Sequence, residues 1–317
     1  MPAYVIALIC IASFIGFLLL VYFAGGIYIF NKIFKRKKQT LLGSLEGASE
    51  QKRNIVVPIR KEAIEKLDSI PYEPMNIKAD DGLKLVGRLY KTPSANPKGL
   101  LVCAHGYNSN PLRVYAYITP YLLEDGWDCL LINLRAHADS EGKWSGFSIL
   151  EQEDVRCWLT HFVAKYKKIF LYGHSMGAAT MGLAASRPLP PQVKGVIFDC
   201  GFSNAKDVIY KVLPKKVMIF AKPMFWVADL IARLACGFSY LSKKNELRYN
   251  IKNTKLPFLF IHGTKDEIVP IEHGYELDKL CPTEHTFNVF EGAEHMASIY
   301  LEPERYIKLV KEFINNY

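Results

Sequence analysis

Residues Gly173-His174-Ser175-Met176-Gly177 set a serine between two glycines, each two positions away. A serine hydroxyl is a poor nucleophile near neutral pH, so it needs a base to take its proton and a third group to aim that base. The surroundings favour such a use. Residues 169–172 form a short apolar run that reads as a buried strand, and 178–185 are small residues and helix formers. Strand, Gly-x-Ser-x-Gly and helix in succession predict a nucleophile elbow. The turn is too tight for flanking side chains, hence Gly173 and Gly177. The serine is expected in a strained backbone conformation, with the first amides of the next helix free to bind an anion.

An elbow serine is followed in chain order by the acid and then the histidine. The acid belongs just past a late strand, and Asp266 lies in the loop after the apolar run 256–261. His295 follows 29 residues later, after one more strand and before the last helix. Asp199, at an earlier strand end, is a rival for the acid. His262 and His273 are rivals for the base, the first out of order and the second inside a predicted helix. An oxyanion hole needs two backbone amides. Met176, next to the nucleophile, supplies one. The loop His105-Gly106-Tyr107-Asn108 supplies the other, assigned to Tyr107. The order argument leaves His137 and Asp139 out of the triad. The segment 135–140 reads as a structural loop with Arg135 in a buried salt bridge, and His174 reads as a packing residue.

Further elements must hold these groups. Strands are predicted at 75–79 and 83–90, joined by Asp80-Asp81-Gly82, and at 99–104, 128–134, 193–199, 256–261 and 286–290. Helices are predicted at 112–124, 150–165 and 299–316. Alternating strands and helices imply an α/β fold with a mainly parallel sheet covered on both faces. Between about 203 and 255 no strand is predicted, and 223–236 is the clearest helix there. An insertion of that size reads as a helical cap.

The first 31 residues carry no charge and are mostly apolar, long enough to cross a bilayer. A cleaved signal peptide, cut at Ala24-Gly25-Gly26, fits less well because no basic segment precedes the apolar stretch. Lys32 and Lys35-Arg36-Lys37-Lys38 follow at once, which places the N-terminus outside and the rest in the cytoplasm. The expected organisation is a transmembrane anchor at 1–31, a basic juxtamembrane connector at 32–71 and a globular domain at 72–317. The connector is predicted to be mobile over 39–54 and helical over 58–70, with Ile59, Ala63, Ile64 and Leu67 buried. Of the net +9, residues 32–61 hold +7, leaving +2 for the rest. That distribution suits an anionic lipid surface and argues against nucleic acid as a partner. Seven scattered cysteines read as free thiols in a reducing compartment, and no Cys/His spacing resembles a zinc site.

Together, His105-Gly106-Tyr107, Arg135-Ala136-His137-Ala138-Asp139-Ser140-Glu141-Gly142, Gly173 to Gly177, Asp199-Cys200-Gly201, His262 to Asp266 and Ala293-Glu294-His295 resemble the α/β-hydrolase superfamily. The similarity runs from about residue 72 to 317 and is nearest to membrane-anchored bacterial serine hydrolases of the serine-aminopeptidase-like and BEM46-like branch. It implies the α/β-hydrolase fold and a two-step acyl transfer to water by Ser175, His295 and Asp266. No cofactor or metal is implied. The substrate would be a small acyl compound, with a carboxylesterase or lipase-like activity foremost. An aminopeptidase or amidase on the same triad, and a non-catalytic tethered binding protein, are the other classes. Met218, Phe220, Met224, Phe225 and Trp226 of the cap would form an apolar acyl pocket. One departure is Ala138, where relatives usually have Gly.

Overall fold

The computed structural model describes residues 1–39, 49–211 and 215–317, without the side chains of 215–217, 219 and 220. Among these residues, eight strands form one sheet in the order β1-β2-β4-β3-β5-β6-β7-β8. They are β1 (Glu73–Lys78), β2 (Lys84–Tyr90), β3 (Gly99–Ala104), β4 (Trp127–Ile132), β5 (Ile169–His174), β6 (Val193–Asp199), β7 (Phe258–Gly263) and β8 (His285–Phe290). β1 and β2 pair antiparallel, as does β2 with β4, and every later pairing is parallel. Strands β3 to β7 are buried along their whole length apart from Lys194, because helices cover both faces. The expected α/β architecture is therefore present. Parallel order also brings the C-terminal ends of β3, β5, β6, β7 and β8 to one rim.

The helices are α1 (Ala3–Phe34), α2 (Val57–Asp68), α3 (Pro111–Tyr115), α4 (Thr119–Glu124), α5 (Glu151–Phe162), α6 (Met176–Ala185), α7 (Ala205–Tyr210), α8 (Lys215–Cys236), α9 (Leu247–Asn250), α10 (Glu272–Leu280), α11 (Ser298–Leu301) and α12 (Pro303–Asn316). Two predicted helices are divided. The 112–124 segment splits into α3 and α4, with Pro120 in the first turn of α4. The C-terminal helix breaks at Glu302, whose φ of −129° and ψ of 66° leave the helical region before Pro303. Conversely, α8 begins eight residues ahead of Pro223 and runs through it.

Helix α1 is long and apolar enough to cross a bilayer, and its most apolar stretch is unburied. It continues beyond residue 31, and Ile29, Phe30, Ile33 and Phe34 are buried. This end packs along α8. A Cβ on Gly26 would lie 2.4 Å from the side chain of Val227, so the small residue permits the close approach. Phe34 contacts the rings of Phe238 and Tyr240, and Phe30 that of Trp144.

The connector differs from its expected character. Residues 40–48 lie outside the described structure, but Glu50 is already helical and a π-helical turn, Lys52–Val56, leads into α2. Residues 50–54, at the end of the stretch 39–54 expected to be mobile, are therefore helical, and Ser49 and Gln51 bond to the main domain. In α2, Ala63, Ile64 and Leu67 are buried as predicted, while Ile59 is half-buried and Arg60 is buried. Arg60 lies over the Tyr300 ring, 5.4 Å from its centroid, so its guanidinium trades water for an aromatic face.

Candidate active site

Strand β5 leads straight into α6 through Ser175, whose φ of 55° and ψ of −118° put it outside every ordinary region for a side-chain-bearing residue. A Cβ on Gly177 would fall 2.0 Å from the carbonyl oxygen of Ala104, and one on Gly173 2.4 Å from that of Gly177. Only glycine lets β3, β5 and α6 meet this closely. The Ser175 amide donates to the carbonyl of Asp199 at 2.8 Å, which ties the turn to the end of β6.

The three distant side chains meet. His295 Nε2 is 2.9 Å from Ser175 Oγ, and His295 Nδ1 is 2.6 Å from Asp266 Oδ2. Asp266 is held on its other oxygen by the amides of Ile268 and Val269, at 3.0 and 2.8 Å. Burial alone would push the Asp266 carboxyl up. The charge interaction with His295 and the hydrogen bond to it, with His262 close by, outweigh that, and the carboxyl titrates well below its ordinary range. An ionised, fully buried Asp266 therefore faces the imidazole.

The rival groups lie elsewhere. Asp199 pairs with His174, Oδ2 to Nε2 at 2.9 Å, and accepts from Tyr306 Oη at 2.6 Å. His273 Nδ1 meets Ser203 Oγ at 2.9 Å. His262 lies 3.6 Å from Asp266, with its Nε2 2.8 Å from the Val269 carbonyl, so it backs Asp266 rather than taking the place of His295. His174 is more than filler, since it belongs to a buried polar group with Asp199, Tyr306 and Tyr172 under the elbow. Sequence spacing gave no sign of this group because its members come from β5, β6 and α12.

Tyr107 and Met176, the expected anion donors, donate through their main-chain N–H to no protein acceptor among the described residues. The Tyr107 loop is braced by two histidines. His105 Nε2 accepts from the Leu134 amide at 3.2 Å, and His137 Nε2 accepts from that of Asn108 at 3.1 Å. In each ring Nδ1–H donates to a carbonyl at 2.8 Å, of Gly106 and Arg135 respectively. Burial lowers both pKa values, that of His105 to about 3, which keeps the accepting nitrogens unprotonated. The 135–140 segment is thus a structural loop. Arg135 holds Asp154, Nε to Oδ2 at 2.7 Å, in the predicted buried salt bridge.

The family model for the alpha/beta hydrolase fold matches residues 99–230 and 221–300. The chain belongs to the alpha/beta hydrolase fold family. It is 26% identical over 233 residues to protein bem46 of Schizosaccharomyces pombe, covering 72% of this chain and 72% of that protein. It is 27% identical over 266 residues to the monoglyceride lipase of Homo sapiens, covering 72% of this chain and 85% of the lipase. Among solved structures, an esterase of Pyrococcus furiosus superposes with a TM-score of 0.62 at 21% identity, over 80% of this chain and 93% of that one.

Two features of this hydrolase-fold site were not expected. The Cys200 thiol lies with Asp266 and His295 in a group whose possible ligand atoms are all within 4.8 Å of one another. The 2.6 Å contact between Asp266 and His295 would have to open to admit zinc, whose ligands sit about 2.0–2.2 Å from the metal. Burial also raises the thiol pKa well above its ordinary value, so the residues present do not fit a metal centre. Second, a cavity of about 640 Å³ is lined by Arg36, Lys37, Arg88, Asn133 and Asp139 among others, and none of Ser175, Asp266 and His295 lines it. In the expected cap segment, Phe225 is buried but Trp226 is 63% exposed, so Trp226 does not line an interior pocket. The side chain of Phe220 lies outside the described residues.

Proposed function

We propose that this chain is a membrane-tethered serine hydrolase that cleaves esters, with Ser175 as nucleophile, His295 as base and Asp266 as its orienting acid. The observation that carries the reading is the unbroken series from Ser175 Oγ through His295 to the depressed carboxyl of Asp266. As Oγ attacks the substrate carbonyl, its proton passes to His295 Nε2. Asp266 stabilises the resulting imidazolium. The amides of Tyr107 and Met176 receive the oxyanion, each such donor being worth roughly 3–4 kcal/mol in the transition state. The imidazolium then protonates the leaving alcohol. Water, deprotonated by the same nitrogen, attacks the acyl-enzyme, and the proton returns to Ser175 as the acid departs.

Tethering rests on α1, whose first twenty or so residues stand clear of the domain. Lys32, Lys35 and Lys38 remain exposed at the base of that span, where lipid phosphates lie and where a cytoplasmic domain places its basic residues. In this reading residues 1–31 are the anchor, 32–71 the connector and 72–317 the hydrolase domain, with 203–255 as a cap. The ester reading is supported by the similarity to a monoglyceride lipase.

A fluorophosphonate probe should label the wild-type chain and leave Ser175→Ala unlabelled. Turnover of p-nitrophenyl esters should then be measured from acetyl to octanoyl. Absence of labelling in folded protein sinks the hydrolase reading, and a sharp preference for acetyl sinks the lipase-like part of it.

A further inference from the structure

The loop that carries His295 is gripped from two sides. Toward β7, the amide of Lys265 donates to the Ala293 carbonyl at 3.0 Å, and the amide of Gly292 donates to Thr264 Oγ1 at 2.8 Å. On the other side the partners come from the tether. The Gln51 side-chain amide donates through Nε2 to the Gly292 carbonyl at 2.9 Å and accepts through Oε1 from the Glu294 amide at 2.9 Å. Ser49 Oγ donates to the Glu294 carboxylate and accepts from the Lys52 amide at 3.1 Å. Glu294 immediately precedes His295.

We propose that Gln51, assisted by Ser49, is a positioning residue for His295, so that the connector of the tether is a working part of the active site. The inference rests on the triad reading above. A primary amide bonded to one carbonyl and one N–H two residues apart fixes both the height and the tilt of that stretch of backbone. The imidazole must be aimed at two targets at once, Ser175 Oγ and Asp266 Oδ2, and a misplacement near 1 Å costs on the order of 100-fold in rate. Met296, on the far side of His295, has a φ of 60°, so the loop is held in a conformation its own residues do not favour. External bonds are what such a loop requires.

The test uses the full-length chain in detergent micelles, with a short p-nitrophenyl ester as substrate and active sites counted by fluorophosphonate titration. Gln51→Ala should lower kcat per titrated site about tenfold with KM nearly unchanged. Ser49→Ala should lower it less, and Ser49→Thr, which keeps the hydroxyl, should restore it. Asn54→Ala, at an exposed position one turn along, should match the wild type. Amide hydrogen exchange over 291–297 should quicken in Gln51→Ala. A purely structural role would lower the number of titratable sites and leave kcat per site intact, and that result overturns the proposal. So does unchanged exchange in the loop, or faster exchange with unaltered kcat per site. If the wild type turns over no ester, the hydrolase reading falls separately, while the exchange measurement still decides whether Gln51 holds the loop.

Discussion

The rim of the sheet and the N-terminal segment, the proposed tether, reach the same site by different means. At the rim, position follows from backbone register. Ser175, Asp266 and His295 each lie just beyond the end of a strand, and β5, β6, β7 and β8 are neighbours in sequence along the sheet. At the tether, position follows from side chains that reach across a gap: Gln51 to Gly292 and Glu294, Gln39 Oε1 to the Ala138 amide at 2.9 Å, and Tyr107 Oη to the Ile33 carbonyl at 2.5 Å. The first kind of placement resists change because moving one residue means moving a strand. The second can be lost by deleting one side chain.

The largest effects should come from the rim. Ser175→Ala should lower kcat by at least about 10⁴-fold with the fold intact, read as turnover beside an unchanged melting curve. Asp266→Asn should cost about 10³- to 10⁴-fold, because an amide presents the imidazole with the wrong partner. The same residue makes a prediction for acid stability. Folded Asp266 stays ionised at pH values where the unfolded chain has already taken up the proton. Its contribution is therefore full above the unfolded value of about 3.9 and is lost as pH falls toward the lower folded value. The melting temperature of Asp266→Asn should fall less steeply than that of the wild type between about pH 5 and pH 3. An identical slope would mean that the carboxyl is not held ionised by its histidines.

These contrasts also explain what was legible. Period-2 and continuous apolar runs exposed the strands, chain order singled out Asp266 and His295, and Gly173 and Gly177 betrayed the tight turn. Arg135 followed from a charged residue at a buried strand end. What stayed hidden depends on tertiary contact between segments with no shared pattern. Ser49 and Gln51 sit in polar, low-information sequence, so composition read them as linker, and only their partners in the 292–294 loop give them a role. The docking of α1 was hidden for a related reason, since a span that is apolar on all sides does not announce which face meets protein. Phe34 is completely buried against Phe238 and Tyr240. Phe34→Ala should destabilise the tether–cap contact by about 3 kcal/mol. Thermal unfolding in detergent would show it as a lower transition, and esterase activity should fall far less than in the triad variants. A loss as large as that of Asp266→Asn would erase the distinction between the two regions.

The smallest effect lies where tether and rim meet. Ala138 has a φ of 42°, in the left-handed region that costs a residue with a Cβ roughly 1–2 kcal/mol. Its amide donates to Gln39 and its carbonyl accepts from Arg36, so both peptide groups flanking the strained residue are tied to the tether. Glycine would relieve the Cβ strain, but it would also free the unfolded chain. The two effects partly cancel, leaving a net gain of about 1 kcal/mol for Ala138→Gly, read as a higher melting temperature. Activity should be unchanged, since Ala138 touches neither Ser175 nor its partners. If instead the substitution lowers stability, the freedom given to the unfolded chain outweighs the strain relieved. Removing Gln39 as well should shrink the gain, because Ala138 without that bond can relax out of the left-handed region. A smaller gain in that double variant would show that residues 36–39 hold the strained conformation and make the two regions a single energetic unit at this point.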